Sequence, residues 1–324
     1  MRPAHYRTAI LSGPGHFTFE DRPLEHPPPG HVRVRLDGCG VCGSNLPVWE
    51  GRPWFTYPLP AGKPGHEGWG VIDAVGDGVT HVQVGDRVAA LSQNAFAEYD
   101  ICKASEVVPL PPALAAQPFP GEALGCAMNV FKRCDIQPGQ HVAIVGLGFL
   151  GALLTQLVAR AGARVYAISR RAFARDIAQR MGASVALGLD DTWQTIEEVK
   201  RLSDRHGCER VIEATGLQAP LDLATELTAE RGKLIIAGYH QDGLRTVNMQ
   251  LWNWRGLDVI NAHERDPLTY VEGMAAAAAA VAEGRLDPSP LYTHRFAFDE
   301  LPAALDQMRD RHDGFLKALI TYER

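Results

Sequence analysis

A glycine-rich loop at residues 146–151 constrains the fold more than any other feature of this sequence. It reads Gly-Leu-Gly-Phe-Leu-Gly, follows the apolar run 141–145 and opens a segment of helical spacing at 150–161. In this context the first glycine permits a tight turn, the second lets the backbone approach a pyrophosphate, and the third allows close helix–strand packing. The helix N-terminus also favours an anion. We therefore predict a dinucleotide-binding loop formed by Gly146, Gly148, Phe149, Leu150 and Gly151.

The pattern around this loop predicts two domains of different class. With 324 residues the chain is longer than one hydrophobic core usually supports. Residues 1–115 consist mostly of short alternating runs separated by glycine and proline turns, which indicates an antiparallel, barrel-like domain. Strands and helices alternate over 116–289, which is typical of a doubly wound parallel sheet. The β-like stretch 290–324 is expected to complete the first domain.

The end of the strand after the glycine loop predicts which cofactor is bound. Sites that prefer NAD place an acidic residue there, where it bonds the ribose 2′-hydroxyl. Here the strand runs into Ser169, Arg170 and Arg171. A hydroxyl and two guanidinium groups suit a 2′-phosphate, because arginine forms paired charge-assisted hydrogen bonds to it. We therefore expect NADP(H) to be preferred over NAD(H), unless the arginines are solvated residues of a helix start.

A second group of residues, in the first domain, has the chemistry of a metal site. Cys42 is followed some twenty residues later by His66 and Glu67. Thiolate, imidazole and carboxylate are the ligands of a catalytic zinc, which keeps one position open for water or substrate. Taken singly, Cys42 could be a core thiol and His66 a loop histidine. Cys39 and Cys42 could also form a redox dithiol, although no thioredoxin-like helix follows them.

Taken together, the motifs resemble the zinc-dependent medium-chain dehydrogenase/reductase (alcohol dehydrogenase) family, close to its sorbitol- and threonine-dehydrogenase-like branches. This resemblance implies a GroES-like catalytic domain plus a Rossmann coenzyme domain, and an NADP(H)-dependent alcohol dehydrogenase or carbonyl reductase. The rival readings are a zinc-free quinone, enone or iminium reductase of the same superfamily and a non-catalytic NADP(H)-binding protein. The matching motifs are Gly-Val-Cys-Gly-Ser at 40–44, Gly-His-Glu at 65–67, Val-Gly-Asp-Arg-Val at 84–88, Phe-Ala-Glu-Tyr at 96–99 and the loop at 146–151.

The resemblance also implies a set of zinc ligands. It maps Cys42 and His66 onto the metal, with Glu67 as an outer or exchangeable ligand. Glu122 is expected to be the third ligand, and Cys126, one helical turn later, is its competitor. The four clustered cysteines that hold a structural zinc in the family are absent, so we expect one zinc per chain.

Two further roles carry over from the family, and two positions depart from it. Ser44 matches the hydroxyl that contacts the substrate alcohol and passes on its proton, and Lys317 matches a basic residue near the cofactor phosphates. Asn45 stands where the family has aspartate and is expected to accept a hydrogen bond from the ligand histidine. Pro47 replaces a relay histidine, so the onward proton route must differ.

Composition excludes several other classes of function. The net charge of −6, with no basic stripe, gives no reason to expect nucleic-acid binding. No signal peptide or membrane-spanning run is visible, so we expect a cytoplasmic protein acting on a small molecule. Relatives in the family are usually dimers or tetramers, and the β-prone stretch 246–260 is a plausible partner-facing edge of a homodimer or homotetramer.

Overall fold

The computed structural model describes residues 3–322, which form helices and strands in the following order. The first part of the chain contains β1 (His5–Gly13), β2 (His16–Pro23), β3 (His31–Gly40), α1 (Leu46–Trp49), β4 (Glu67–Val75), β5 (Arg87–Ala90), β6 (Tyr99–Lys103), β7 (Val107–Pro109) and α2 (Gly121–Cys134). The middle contains β8 (His141–Val145), α3 (Phe149–Arg160), β9 (Arg164–Ile168), α4 (Ala172–Arg180), β10 (Val185–Leu187), α5 (Thr192–Leu202), β11 (Cys208–Glu213), α6 (Gln218–Leu227), β12 (Thr228–Ile236), α7 (Met249–Arg255) and β13 (Asp258–Asn261). The last part contains α8 (Pro267–Ala282), β14 (His294–Ala297), α9 (Leu301–Asp310) and β15 (Ala318–Thr321).

The chain divides into two compact units. One comprises the chain up to Gly125 and from Arg265 onward, and the other comprises Cys126–Glu264. The sequence-based division had instead assigned the whole of 116–289 to the second domain. The helix α8 accounts for much of the difference, because it packs against β7 in the first unit. Its alanine-rich sequence carries no signal of which sheet it covers.

The first unit is built on a seven-stranded sheet in the order β14-β15-β3-β4-β5-β7, with β6 also paired to β3. The pairs formed by β3 are antiparallel, and β14 and β15 are parallel to each other. The strand β3 lies between β15 and β4 in this sheet, and its residues Val32, Val34 and Leu36 are buried in the core of the unit. At the end of β3, Gly40 lies opposite Glu67, the first residue of β4. This pairing positions the loop after β3 beside the loop before β4.

The second unit is a parallel sheet in the order β10-β9-β8-β11-β12-β13. From β8 the chain proceeds outward through β9 and β10, and then returns to build β11, β12 and β13 on the other side. The direction of winding therefore reverses between β8 and β11, which is where doubly wound sheets bind ligands at the carboxyl ends of their strands. An antiparallel first unit joined to this sheet confirms the predicted fold class.

Candidate active site and nucleotide loop

Three potential metal ligands converge in the first unit. Cys42 precedes a 3-10 turn at Gly43–Asn45, and His66 and Glu67 lie where the chain enters β4. One ligand atom from each of the three side chains lies within 4.8 Å of the others. Residues separated by more than twenty positions thus meet because β3 and β4 pair next to both loops.

The imidazole of His66 is held in one orientation. Its Nδ1 donates a hydrogen bond to the Pro64 carbonyl oxygen at 2.9 Å, which leaves Nε2 facing the cluster, 3.4 Å from the Ser44 hydroxyl. Burial alone would lower the pKa of His66, but the Cys42 side chain, Glu122 and Glu67 raise it to about 10. The negative surroundings that hold a proton there would also attract a metal cation.

Asn45 has a different role from the one predicted for it. Its side-chain oxygen accepts a hydrogen bond from the Cys42 backbone N–H at 2.9 Å, and its amide donates to the Pro64 carbonyl at 3.0 Å. Through these two hydrogen bonds the buried Asn45 side chain connects the loops that carry Cys42 and His66. The Pro64 carbonyl, rather than Asn45, accepts the hydrogen bond that orients the imidazole, because it lies directly at Nδ1.

Lys317 lies beside Glu67 and Cys42, whereas the family resemblance predicts a place for it at the cofactor phosphates. Its ammonium group is 2.6 Å from Oε1 and 2.5 Å from Oε2 of Glu67, and the two side chains are 3% and 0% exposed. Burial alone would lower the pKa of Lys317, but the charges of Glu67, Cys42 and Glu122 raise it. The lysine side chain is therefore committed to a buried ion pair beside Cys42 and His66.

Two residues that sequence reasoning missed lie at this ion pair: Gly40 leaves room for it, and Thr293 bonds the backbone that carries Lys317. A Cβ on Gly40 would overlap Oε2 of Glu67 and would lie 3.1 Å from Cε of Lys317. The Thr293 hydroxyl oxygen accepts hydrogen bonds from the backbone N–H groups of Leu316 and Lys317, at 2.9 and 3.3 Å. A glycine inside a strand was a usable signal for Gly40, since it often marks close approach of another group. No local pattern pointed to Thr293.

Glu122 stands further from the cluster than Glu67 does. It lies in the first turn of α2, and its charge raises the pKa of both His66 and Lys317. Among residues 3–322, however, the group of mutually close ligands contains Glu67 and neither Glu122 nor Cys126. Glu67, which the resemblance assigned to an outer or exchangeable position, is thus the carboxylate that lies with Cys42 and His66, and Glu122 as third ligand stays a prediction.

The glycine loop of the second unit has the geometry that its three glycines require. Gly146 has φ = +102°, and a Cβ there would overlap the methyl group of Thr215. Gly148 is the N-cap of α3, so that Phe149 and Leu150 form its first turn, and a Cβ on Gly148 would meet nothing within 4 Å. A Cβ on Gly151 would overlap the Gly146 carbonyl oxygen. The loop therefore packs tightly on its inner side and is open at the helix N-terminus.

The residues after β9 form a hydrogen-bonded cluster. The Arg171 backbone N–H donates to the Ser169 hydroxyl at 3.2 Å, and the Arg171 guanidinium donates to the Leu147 carbonyl in the glycine loop at 3.4 Å. Arg175, which the sequence analysis missed, donates to the carbonyls of Ser169 and Arg170, both at 2.9 Å. Its position one helical turn after Arg171 was the available signal.

Comparison with known proteins identifies both units. The family model of the alcohol dehydrogenase GroES-like domain matches residues 28–112, and that of the zinc-binding dehydrogenase matches residues 150–279. Human sorbitol dehydrogenase is 26% identical over 338 residues, which cover 93% of this chain and 92% of that protein.

Two solved structures share the fold along almost the whole chain. A short chain alcohol dehydrogenase from Escherichia coli CFT073, complexed with NADH, has a TM-score of 0.87 at 21% identity and covers 98% of this chain and all of its own. A putative zinc-binding dehydrogenase from Sinorhizobium meliloti 1021, bound to NADP, has a TM-score of 0.85 at 22% identity, with the same coverage. None of the helices formed by residues 3–322 is long and apolar enough to cross a membrane.

Proposed function

This chain belongs to the zinc-dependent medium-chain dehydrogenase/reductase family, and we propose that it transfers hydride between NADP(H) and a small alcohol or carbonyl substrate at a single zinc ion. The relatives place it among the oxidoreductases that act on alcohols. The metal, the choice between NADP and NAD, and the substrate are proposed from the residues of the two sites.

The observation that carries the proposal is the convergence of Cys42, His66 and Glu67 within 4.8 Å. The set fits zinc because it offers sulfur, imidazole nitrogen and carboxylate oxygen, and because the Nδ1 of His66 is already engaged by a carbonyl. Zinc bound there would supply Lewis-acid stabilisation of negative charge on the substrate oxygen. The ammonium group of Lys317 would hold the Glu67 carboxylate in place, whether Glu67 contacts the metal directly or from outside.

Ser44 is the residue we assign to proton transfer. Its hydroxyl lies 3.4 Å from Nε2 of His66 and can donate to, or accept from, a substrate oxygen held next to this histidine. Pro47, two residues before Trp49 in α1, is buried and has no proton to pass on. A proton that reaches Ser44 must therefore leave through another group or through solvent.

The residues after β9 support a preference for NADP(H). The Arg171 guanidinium donates to the Leu147 carbonyl in the glycine loop, and Arg175 donates to the carbonyls of Ser169 and Arg170. No acidic residue occupies positions 169–175. A 2′-phosphate there would receive charge-assisted hydrogen bonds, whereas the 2′-hydroxyl of NAD(H) would lack its usual carboxylate acceptor.

The proposed substrate class and assembly state rest on a relative and on one edge of the second unit's sheet. The likeness to sorbitol dehydrogenase favours a secondary alcohol or polyol and the corresponding ketone. A homodimer or homotetramer is favoured by β13, which ends the second unit's sheet and pairs with β12 alone among residues 3–322. Trp254 and Val259 beside this edge are 87% and 38% exposed.

The proposal is tested by measuring zinc content and cofactor binding on the same purified sample. We expect one zinc per chain by elemental analysis and tighter binding of NADPH than of NADH by fluorescence titration. Absence of zinc after metal-supplemented expression would support the zinc-free reductase instead. Binding of NADPH without turnover of any alcohol or carbonyl would support the non-catalytic protein. Tighter binding of NADH than of NADPH would contradict the proposed 2′-phosphate site.

A further inference from the structure

Glu213 forms a buried polar junction at the carboxyl end of β11. Its side chain is 0% exposed, although it ends in a carboxyl group. One carboxylate oxygen accepts hydrogen bonds from the backbone N–H groups of Thr215 and Gly216, at 2.6 and 3.0 Å, and from the Thr215 hydroxyl at 2.5 Å. The other oxygen lies 3.0 Å from Nε2 of His240, in the loop that follows β12. A single carboxylate thus joins the loops after two neighbouring strands.

The partners of His240 determine its tautomer. Arg245 can only donate, and its Nε lies 2.9 Å from Nδ1 of His240, so Nδ1 must accept. The proton of the neutral ring is therefore on Nε2, which donates to Glu213. Arg245 also donates to the Gly216 carbonyl at 2.8 Å and pairs with Asp242. We call Glu213, His240 and Arg245 the clamp. These three side chains connect residues 215–216 to residues 238–245.

The clamp brings two backbone segments into direct contact. A Cβ on Gly238 would overlap the backbone nitrogen of Gly216 and would lie 2.7 Å from Oε2 of Glu213. A Cβ on Gly216, whose φ is +76°, would lie within 2.8 Å of the Tyr239 carbonyl carbon. The two segments form one surface only because neither glycine carries a side chain. The clamp side chains bond across these segments in addition to the hydrogen bonds that the backbone N–H groups of Ala237 and Gly238 donate to the Glu213 carbonyl, both at 2.8 Å.

This surface adjoins the glycine loop on the side away from the predicted 2′-phosphate site. The Ala214 backbone N–H donates to the Val145 carbonyl at 2.9 Å, and the methyl group of Thr215 fills the space beside Gly146. Ser169 follows β9, on one side of β8, whereas residues 214–216 and 238–240 follow β11 and β12, on the other side. A dinucleotide whose pyrophosphate lies at the glycine loop would extend one half to each side.

We propose that the clamp of Glu213, His240 and Arg245 positions the backbone surface that receives the nicotinamide half of the cofactor. The inference rests on the proposed function, because it assumes that the glycine loop binds a dinucleotide. His240 and Arg245 are positioning residues: they act through the backbone at 215–216 and 238–240. Loss of the clamp should therefore weaken binding of the nicotinamide half and leave the adenine half unaffected.

The test compares two probes on the same variants. NADPH contains both halves, whereas adenosine 2′,5′-bisphosphate contains only the adenine half with its 2′-phosphate. We expect His240→Leu to weaken NADPH binding at least tenfold and to shift the nicotinamide fluorescence of the bound cofactor, with less than a twofold change for the bisphosphate. Arg245→Met, which leaves Glu213 and His240 in contact, should give a smaller loss with the same selectivity. His206→Leu, at an exposed histidine of the second unit, is the matched control.

Each outcome bears on the clamp separately from the proposed function. Wild-type protein that binds neither probe would contradict the dinucleotide site itself. Equal weakening of both probes in His240→Leu and Arg245→Met would show that these residues support the sheet edge in general, which overturns the proposal. Unchanged NADPH binding in both variants would also overturn it. If His240→Leu does not fold, Arg245→Met alone decides between these outcomes.

Discussion

The candidate metal cluster, formed by Cys42, His66 and Glu67, and the glycine loop at 146–151 bring their functional groups together in different ways. The loop is one continuous segment, and three glycines within six residues produce its shape. The cluster joins Cys42 and His66 to an ion pair whose members, Glu67 and Lys317, are separated by 250 positions in the chain. The loop depends on the absence of side chains, whereas the cluster depends on buried charges that compensate one another. The two regions should therefore respond differently to substitution.

The first prediction separates the two regions by removing a proposed metal ligand. Cys42→Ala removes the thiolate, which should abolish zinc binding and lower turnover by about a thousandfold or more, since zinc supplies the charge stabilisation for the reaction. The affinity for NADPH should stay within twofold of the wild-type value, because the glycine loop contains no metal ligand. Elemental analysis, steady-state kinetics and NADPH fluorescence provide the three readouts.

The control for Cys42→Ala is Cys208→Ala, at a buried thiol in the second unit. It should retain zinc and turnover. Full activity of Cys42→Ala without zinc would contradict the assignment of Cys42 to the metal. A parallel loss of NADPH affinity would contradict the independence of the two regions.

The second prediction concerns the buried ion pair. Lys317→Met leaves Glu67 charged and fully buried without its cation, and breaking a buried pair in this way costs about 3–5 kcal/mol. The free energy of unfolding, measured by urea titration, should fall by that amount. In Lys317→Met combined with Glu67→Gln, much of the loss should be recovered, because no uncompensated charge remains.

A surface pair provides the contrast for Lys317→Met. Lys200 and Glu197 are partly exposed, so Lys200→Met should cost no more than about 1 kcal/mol. A loss of similar size for Lys317→Met would mean that the Glu67–Lys317 pair is not desolvated as the structure indicates.

The same contrast explains what could be predicted from the sequence. The roles of Gly146, Gly148 and Gly151 follow from local spacing, because a turn and a helix start impose the same backbone requirements in any chain. The alternation of helices and strands likewise predicted the doubly wound sheet. The family resemblance assigns Lys317 to the cofactor phosphates, and nothing in residues 311–321 reveals that its side chain points to Glu67. Long-range pairing through β3, β4 and β15 decides that contact.

Local sequence could not decide between Glu67 and Glu122 as the third proposed zinc ligand for a related reason. Glu67 and Glu122 carry the same chemical group, so residue type cannot rank them. Gly40 makes the difference, since its missing side chain gives the Glu67 carboxylate room beside Cys42 and His66. Asn45 was assigned to the histidine because the motif shows that the two are close. The motif does not show that Pro64 lies between them.

The third prediction tests the nucleotide region by itself. Arg171→Gln removes a guanidinium that would form charge-assisted hydrogen bonds to the 2′-phosphate, each contributing about 1.5–3 kcal/mol. The dissociation constant of NADPH should rise about 10- to 100-fold, and that of NADH by less than threefold. Arg164→Gln, at the exposed first residue of β9, should change neither value. Equal weakening of both cofactors would indicate that Arg171 supports the loop through Leu147 rather than recognising phosphate.

The last prediction, which has the smallest expected effect, tests whether the candidate metal cluster also depends on an absent side chain. Gly40→Ala places a methyl group where Oε2 of Glu67 stands, so Glu67 must shift or the backbone of β3 must bend. Overpacking of this kind costs about 1–3 kcal/mol. We expect a loss of unfolding free energy in this range, with weaker zinc binding and unchanged NADPH affinity. Gly13→Ala is the control, since a Cβ there meets nothing within 4 Å. If Gly40→Ala retained wild-type zinc affinity, Glu67 would have moved without consequence for the metal, and Glu122 would become the stronger candidate for the third ligand.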